Sequence, residues 1–348
     1  MRSIGKNSSI SGENSAITGK NCVAATKKSV IAVAFSGLFS LPVHAGYAFI
    51  EKFLENNFAA TVVLSDSEVF TVGISDFNPN EILNTENEDW GTETSLDNRK
   101  TYAVASWPYT FELSEEDAVN QHSVLLRLSG TLSDETIQFV DGEPHDDFHQ
   151  TLVDLYSAYR VRHHFDQHWS LQPGIGHHLM YYQNSVDYHS PTGQLFQPFL
   201  DDLIFNTSAW AAVLEPHIRL KYESPQSWGR WSVSSSWHYF YGFGWGQANE
   251  GEVGNPEGWY GANTLTGVYD FTRLGPSVQS VYASLRRVDV GGDIRAPLAT
   301  SVYYETSFGW LMTPPFKSDW IDNVGIGLSL NYGSAFKGGS IVLFFNQE

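Results

Sequence analysis

The residues best equipped for chemistry in this sequence are histidines. His163, His164 and His168 fall in the run RHHFDQHW, and His177 and His178 follow shortly after. Imidazole is a common zinc ligand, but a zinc site needs donors that converge from one face or from adjoining strands. The run reads instead as a polar turn, and no metal site and no cofactor is expected. His238 lies beyond Ser232, Ser234 and Ser236 at period two, so all four share one face of a strand. That is raw material for a Ser-His-acid set, with His178 as a second candidate base. Same-face serines and histidines arise readily on any polar strand face, however, and no G-x-S-x-G element accompanies them. No catalytic residue is assigned, and the chain is read as not an enzyme.

A third group is electrostatic. Glu215, His217, Arg219 and Lys221 alternate with Leu214, Pro216, Ile218, Leu220 and Tyr222. The same parity argument turns Arg127, Arg160, Arg162, Arg286, Glu112, Asp154 and Glu305 to the side opposite their apolar neighbours. Mixed charges enclosed on one face pair across strands and stiffen or plug whatever they line. The competing reading is a pore with basic walls that prefers anions. The acidic stretches within 81–97 and 134–147 lack the fixed spacing of a calcium loop and read as solvated connections.

What must position these residues is a succession of alternating segments. In VGIGLSLNYG, Val324, Ile326, Leu328, Leu330 and Tyr332 are apolar, with glycine, serine or asparagine between them. Trp231 to Tyr241, Val302 to Trp310, Trp169 to Ile175 and Val153 to Val161 repeat the pattern. Such strands have two unlike faces. Their ends carry Trp and Tyr repeatedly, as the interfacial girdles of a membrane barrel do. The 348 residues include 11 Trp, 17 Tyr and 22 Phe, and only 17% are charged. The apolar face, Val324 to Tyr332, is therefore expected to meet lipid, and Gly325 to Asn331 a lumen.

The expected strands are 59–77, 100–113, 122–132, 149–163, 167–188, 207–223, 228–246, 259–272, 277–290, 299–312, 322–333 and 338–346, mostly with long and short connections in alternation. The fold class is all-β, a transmembrane antiparallel barrel of about 12 strands. An even count puts both barrel ends in the periplasm, although 313–321 is long for a periplasmic turn and 334–337 short for an outer loop. Within 59–77, Asp66 and Glu68 fall on the face of Val62, Leu64, Phe70, Val72 and Ile74, so a bulge, a hairpin or an extension beyond the bilayer is needed there. Ahead of it, Phe49, Ile50, Phe53 and Leu54 have helical spacing, giving a short amphipathic helix over 46–58 in the lumen or at the periplasmic rim.

Lys27 and Lys28 precede the uncharged run Ser29–Leu41, which ends in Pro42-Val43-His44-Ala45. That is the layout of a secretory signal peptide, with cleavage expected after Ala45. The divisions are 1–45 leader and signal, 46–58 helix and 59–348 outer-membrane barrel. The single cysteine, Cys22, would leave with the leader. A net charge of −19 without a basic stripe excludes nucleic acid as a partner. The expected partners are the Sec export machinery, the barrel assembly machinery, and outer-membrane lipid and lipopolysaccharide.

Signal peptide, helix, twelve strands and an aromatic final strand together resemble the solitary outer-membrane autotransporter-like β-barrels of Gram-negative bacteria. The resemblance covers roughly 46–348. Its most specific piece is Ser340-Ile-Val-Leu-Phe-Phe345, where Ile341, Leu343 and Phe345 alternate as in a C-terminal assembly signal; here Asn346-Gln347-Glu348 follow. The resemblance implies a translocator-type barrel, with too short a segment ahead of strand one for a passenger. Alternatives are an outer-membrane lipid-modifying hydrolase, a small-solute porin and, more distantly, a soluble lectin-like sandwich.

Overall fold

A computed structural model describes residues 43–71, 73–115, 118–316 and 321–347. The leader and signal-peptide reading lies outside the described residues, except for 43–45. Helix α1 spans Val43–Leu64, and β1 is the short strand Ser75–Phe77. Two further helices, α2 (Pro79–Leu83) and α3 (Glu93–Thr101), lead to β2 (Tyr102–Glu112), β3 (Asn120–Ile137), β4 (Asp146–His164) and β5 (Trp169–Asp187). After α4 (Pro191–Leu200) come β6 (Ser208–Gln226), β7 (Gly229–Gly246), β8 (Glu257–Leu274) and β9 (Ser277–Gly292). The short α5 (Arg295–Leu298) precedes β10 (Val302–Met312), β11 (Val324–Tyr332) and β12 (Gly338–Phe345).

The twelve strands form one sheet in the order β1-β12-β11-β10-β9-β8-β7-β6-β5-β4-β3-β2, antiparallel throughout. Among the described residues no helix is long and apolar enough to cross a membrane, so a crossing by them would be made with strands. Alternation fixes the faces. Ile326, Leu328, Leu330 and Tyr332 of β11 are exposed, and Ser329 and Asn331 between them are buried. On β10, Tyr304, Phe308 and Trp310 are exposed while Tyr303, Glu305 and Ser307 are buried. A belt of exposed Trp, Tyr, Phe and Leu this continuous is untenable in water and is what a lipid-facing wall requires.

The strand expected over 59–77 does not form. Ile50, Leu54, Phe58 and Val62 recur every four residues and are all buried, so the helical stripe runs on through the segment read as strand. The helix ends at Leu64, a turn follows, and only Ser75–Phe77 joins the sheet, pairing with Ile341, Ser340 and Gly339 of β12. Asp66 and Glu68, which broke the alternation, lie in the turn.

That turn shows how the sheet curves. Ser65 O accepts from Ser106 on β2, Asp66 faces Arg127 on β3 and Tyr260 on β8, and Glu68 faces Arg219 on β6. Ser67 O accepts from Arg286 on β9, Val69 O from Tyr303 on β10, and Glu305 of β10 accepts from the Thr71 amide. A flat sheet cannot bring six strands to seven consecutive residues; this one wraps around them.

Helix α1 also defines which end is which. Tyr47 donates to Glu250, Asn249 donates to Tyr47 O, Asn255 N donates to Glu55, and Lys52 pairs with Asp293. These partners sit in the long connections after β7 and β9, so α1 enters from the long-connection end and points inward; it is not at the opposite rim. Strand β1 runs antiparallel to β12, toward the long-connection end, so the first and last strands keep the directions that an even count implies.

Strands β1 and β2 are the sheet edges, and among the described residues no ladder joins them. Helix α3 lies at this seam. Arg99 donates Nε to Asp76 on β1 over 2.9 Å, and reaches Phe336 O just before β12 and Ser340 Oγ on it.

Candidate functional site

Below the end of α1 the enclosed face changes from apolar to polar on several strands at one level. The β6 sequence Ala209, Ala211, Val213 gives way to Glu215 and His217; on β5, Tyr182 and Met180 give way to His178; on β4, Leu152 gives way to Asp154. At the centre is the Glu215 carboxylate, fully buried. Its Oε1 accepts from His238 Nδ1 at 2.9 Å and Tyr156 OH at 3.1 Å. Its Oε2 accepts from His178 Nε2 at 3.1 Å and Tyr260 OH at 3.3 Å. Tyr260 OH also lies 2.9 Å from Asp66 Oδ2, joining the turn after α1 to the cluster.

The other nitrogen of His178, Nδ1, faces Asp154 Oδ2 at 3.0 Å. Carboxylates on both sides suit an imidazolium, the form that donates from both nitrogens. Arg127 on β3 places its guanidinium 4.4 Å from the centre of the Tyr156 ring and its Nη1 3.6 Å from Asp66. Two glycines on β5 make room: a Cβ at Gly174 would overlap the His217 ring, and one at Gly176 the Tyr156 ring.

The sequence candidates divide as follows. Glu215, His217, Arg127 and Glu305 are buried, and Arg219 is partly so. Glu305 accepts from Arg286 Nη1 at 2.9 Å, Arg219 donates to Glu68 at 3.2 Å, and Lys221 lies 2.5 Å from Glu223. Arg160 and Arg162 are intermediate in exposure toward the short-turn end of β4. Ile341 and Leu343 of β12 are exposed, and Phe345 pairs through its backbone with Val324.

The histidines of RHHFDQHW go elsewhere. His163 meets Asn120 at 2.7 Å, His164 meets Gln121 at 3.2 Å, and His168 stacks on Tyr222. Among the described residues they form no three-ligand group. The Asp166 carboxyl in that turn is held below its ordinary range by the Trp169 and His168 amides that donate to it. His177 is exposed on the outer face while its neighbour His178 is fully buried.

The acid–imidazole pairs have the orienting half of a Ser-His-acid set. The nucleophilic half does not join them: both nitrogens of His178 are taken by carboxylates, and His238 turns Nδ1 to Glu215, with no described hydrogen bond from Ser232, Ser234 or Ser236. Among the described residues one group could hold a metal: Glu215, His217 and His238 bring one ligand atom each within 4.8 Å of one another. Sequence reasoning grouped Glu215 with His217 and placed His238 elsewhere, and it did not name Asp66, Tyr156 or Tyr260 as site residues. The available signal was Asp66 itself, a carboxylate breaking an otherwise apolar face.

Comparison with known families matches residues 55–347 to the model of the solitary outer membrane autotransporter beta-barrel domain. No curated protein matches the chain.

Proposed function

From the premise that this chain belongs to the solitary outer membrane autotransporter β-barrel family, we propose that it is a closed, non-enzymatic barrel, a stable wall element rather than a pore. Membership implies an outer-membrane location, and the exposed aromatic belt suits lipid and lipopolysaccharide as its surroundings. In this reading the leader 1–45 directs Sec export, the strand ending in Ile341, Leu343 and Phe345 is read by the barrel assembly machinery, and the barrel works without a passenger, as the family's description as solitary suggests.

The observation that carries the proposal is the turn 65–71, tied to β2, β3, β6, β8, β9 and β10 beneath a helix packed in apolar side chains. A charge-paired interior occupied in this way leaves an ion no continuous path. The test is planar-bilayer conductance of the purified barrel. The intact chain is expected to conduct poorly, and deleting 46–58 together with Arg219→Ala and Lys221→Ala to raise conductance and weaken any anion preference. A wide, unselective pore unchanged by those alterations would make the chain a general porin, and turnover of phospholipid or lipopolysaccharide by the same preparation would make it a hydrolase.

A further inference from the structure

We propose that Glu215, His217 and His238 form an internal binding site for one divalent transition-metal ion, with Zn²⁺ the best fit. The positions follow from the ladder. Glu215 and His217 are two residues apart on β6 and therefore share a face, and His238 of β7 is the register partner of His217. Glu215 Oε1 lies 2.9 Å from His238 Nδ1 and 3.9 Å from His217 Nδ1. Four-coordinate zinc, with donors at about 2.0–2.2 Å, spaces them about 3.3 Å apart, a value between the two observed. All three ligand atoms lie within 4.8 Å of one another, so side-chain shifts of about 1–2 Å would bring the trio to ligand spacing.

Donor chemistry selects the ion. Two imidazoles and a carboxylate are a zinc-type set, whereas calcium and magnesium take oxygen donors. His217 is also poorly committed elsewhere. Its side chain is only 5% exposed, the Nδ1 contact to its own strand's Glu215 O is 3.3 Å, and Nε2 is buried without a partner. The long Nδ1 contact leaves that nitrogen available to an ion, while Nε2 lies against Gly174 on β5.

The surrounding shell is what a metal carboxylate needs. Glu215 Oε2 is fixed by His178 Nε2 and Tyr260 OH, Oε1 faces the two ligand rings and also accepts from Tyr156 OH at 3.1 Å, and Asp154 fixes His178 in turn. The His217 and His238 rings stack at 5.0 Å, and the opposite face of His238 is covered by Tyr260 at 4.3 Å. On the short-turn side of the trio, Arg219 and Lys221 of the same strand face are partly exposed. The closed-interior reading does not depend on this site, since α1 blocks the other end whether or not an ion is bound.

The test uses the full chain folded in detergent, stripped with chelator and titrated with Co²⁺ as a visible probe. One Co²⁺ per barrel is expected, with the intense absorption of a four-coordinate nitrogen–oxygen site, displaced by Zn²⁺. His217→Gln, His238→Gln and Glu215→Gln should each weaken binding by about 10–100-fold or more, while His163→Gln with His168→Gln leaves it unchanged. Heat-modifiable migration on gels establishes that each variant is folded. The proposal is overturned if the folded unaltered chain binds no stoichiometric Co²⁺, which needs no variant, or if binding follows the 163–168 turn instead of the interior trio.

Discussion

The interior has two regions built on the same strands, one above and one below the end of α1. Above, Ile50, Leu54, Phe58 and Val62 of the helix meet Phe148, Tyr182, Phe240, Val288 and Val290 in one apolar cluster, like the core of a soluble protein. Below, Asp66, Arg127, Asp154, His178, Glu215 and His238 share a hydrogen-bonded and charged network. The upper region is held by burial and packing, which are not directional. The lower is held by partners in fixed geometry, where each group depends on its neighbours. A side chain's value in this barrel therefore depends on its height as well as on which face it occupies.

This contrast can be broken by substitution, beginning where the effect is largest. Phe58 is fully buried and packs edge-on against Tyr182 at 6.3 Å. Phe58→Ala is expected to cost about 3–5 kcal/mol in denaturant unfolding, the price of a cavity in a packed core; a cost near zero would mean that α1 is not seated in the barrel. The outer wall supplies the reference. Leu328→Arg should cost about 2–4 kcal/mol in vesicles if the residue sits near the bilayer midplane, and an effect no larger than that of Arg at an exposed loop position would refute the lipid-facing assignment.

Smaller effects sharpen the lower region. Glu215→Gln keeps the shape but removes the charge that His178 and His238 donate to, at a cost of about 1.5–3 kcal/mol. A neutral or stabilising result would show that the network is not held by its charge. The smallest effect belongs to Asp166, outside the strands and fully exposed. Its carboxyl is depressed in the folded state, so its contribution is present above the unfolded value and fades as pH falls through the folded one. Asp166→Asn should flatten that acid-side slope of stability slightly, and an unchanged slope would remove the turn from the account.

Much of the wall was legible because alternation is local: each residue of β10 or β11 declares its face through its neighbours two places away. The first segment misled for the same reason. Val62 and Leu64 fit a period of two as well as a helix, and only burial of Ile50, Leu54, Phe58 and Val62 along one stripe decides between them. The centre was hidden differently. His238 meets Glu215 because β6 and β7 pair in one register, and Tyr260 meets Asp66 because the sheet wraps around the turn; neither relation is written in the spacing along one strand. The dense histidines at 163–168 drew attention because they are close in sequence, yet the group that converges comes from β6 and β7.

The central claim, that α1 lies inside the barrel, is tested most directly by labelling. Val62→Cys, in a chain with Cys22 replaced, puts one thiol on the buried stripe of the helix. In the folded barrel this thiol should resist a bulky water-soluble maleimide from both sides and react fully only after unfolding. Rapid labelling of a barrel that still shows heat-modifiable migration would place the helix outside and contradict the account.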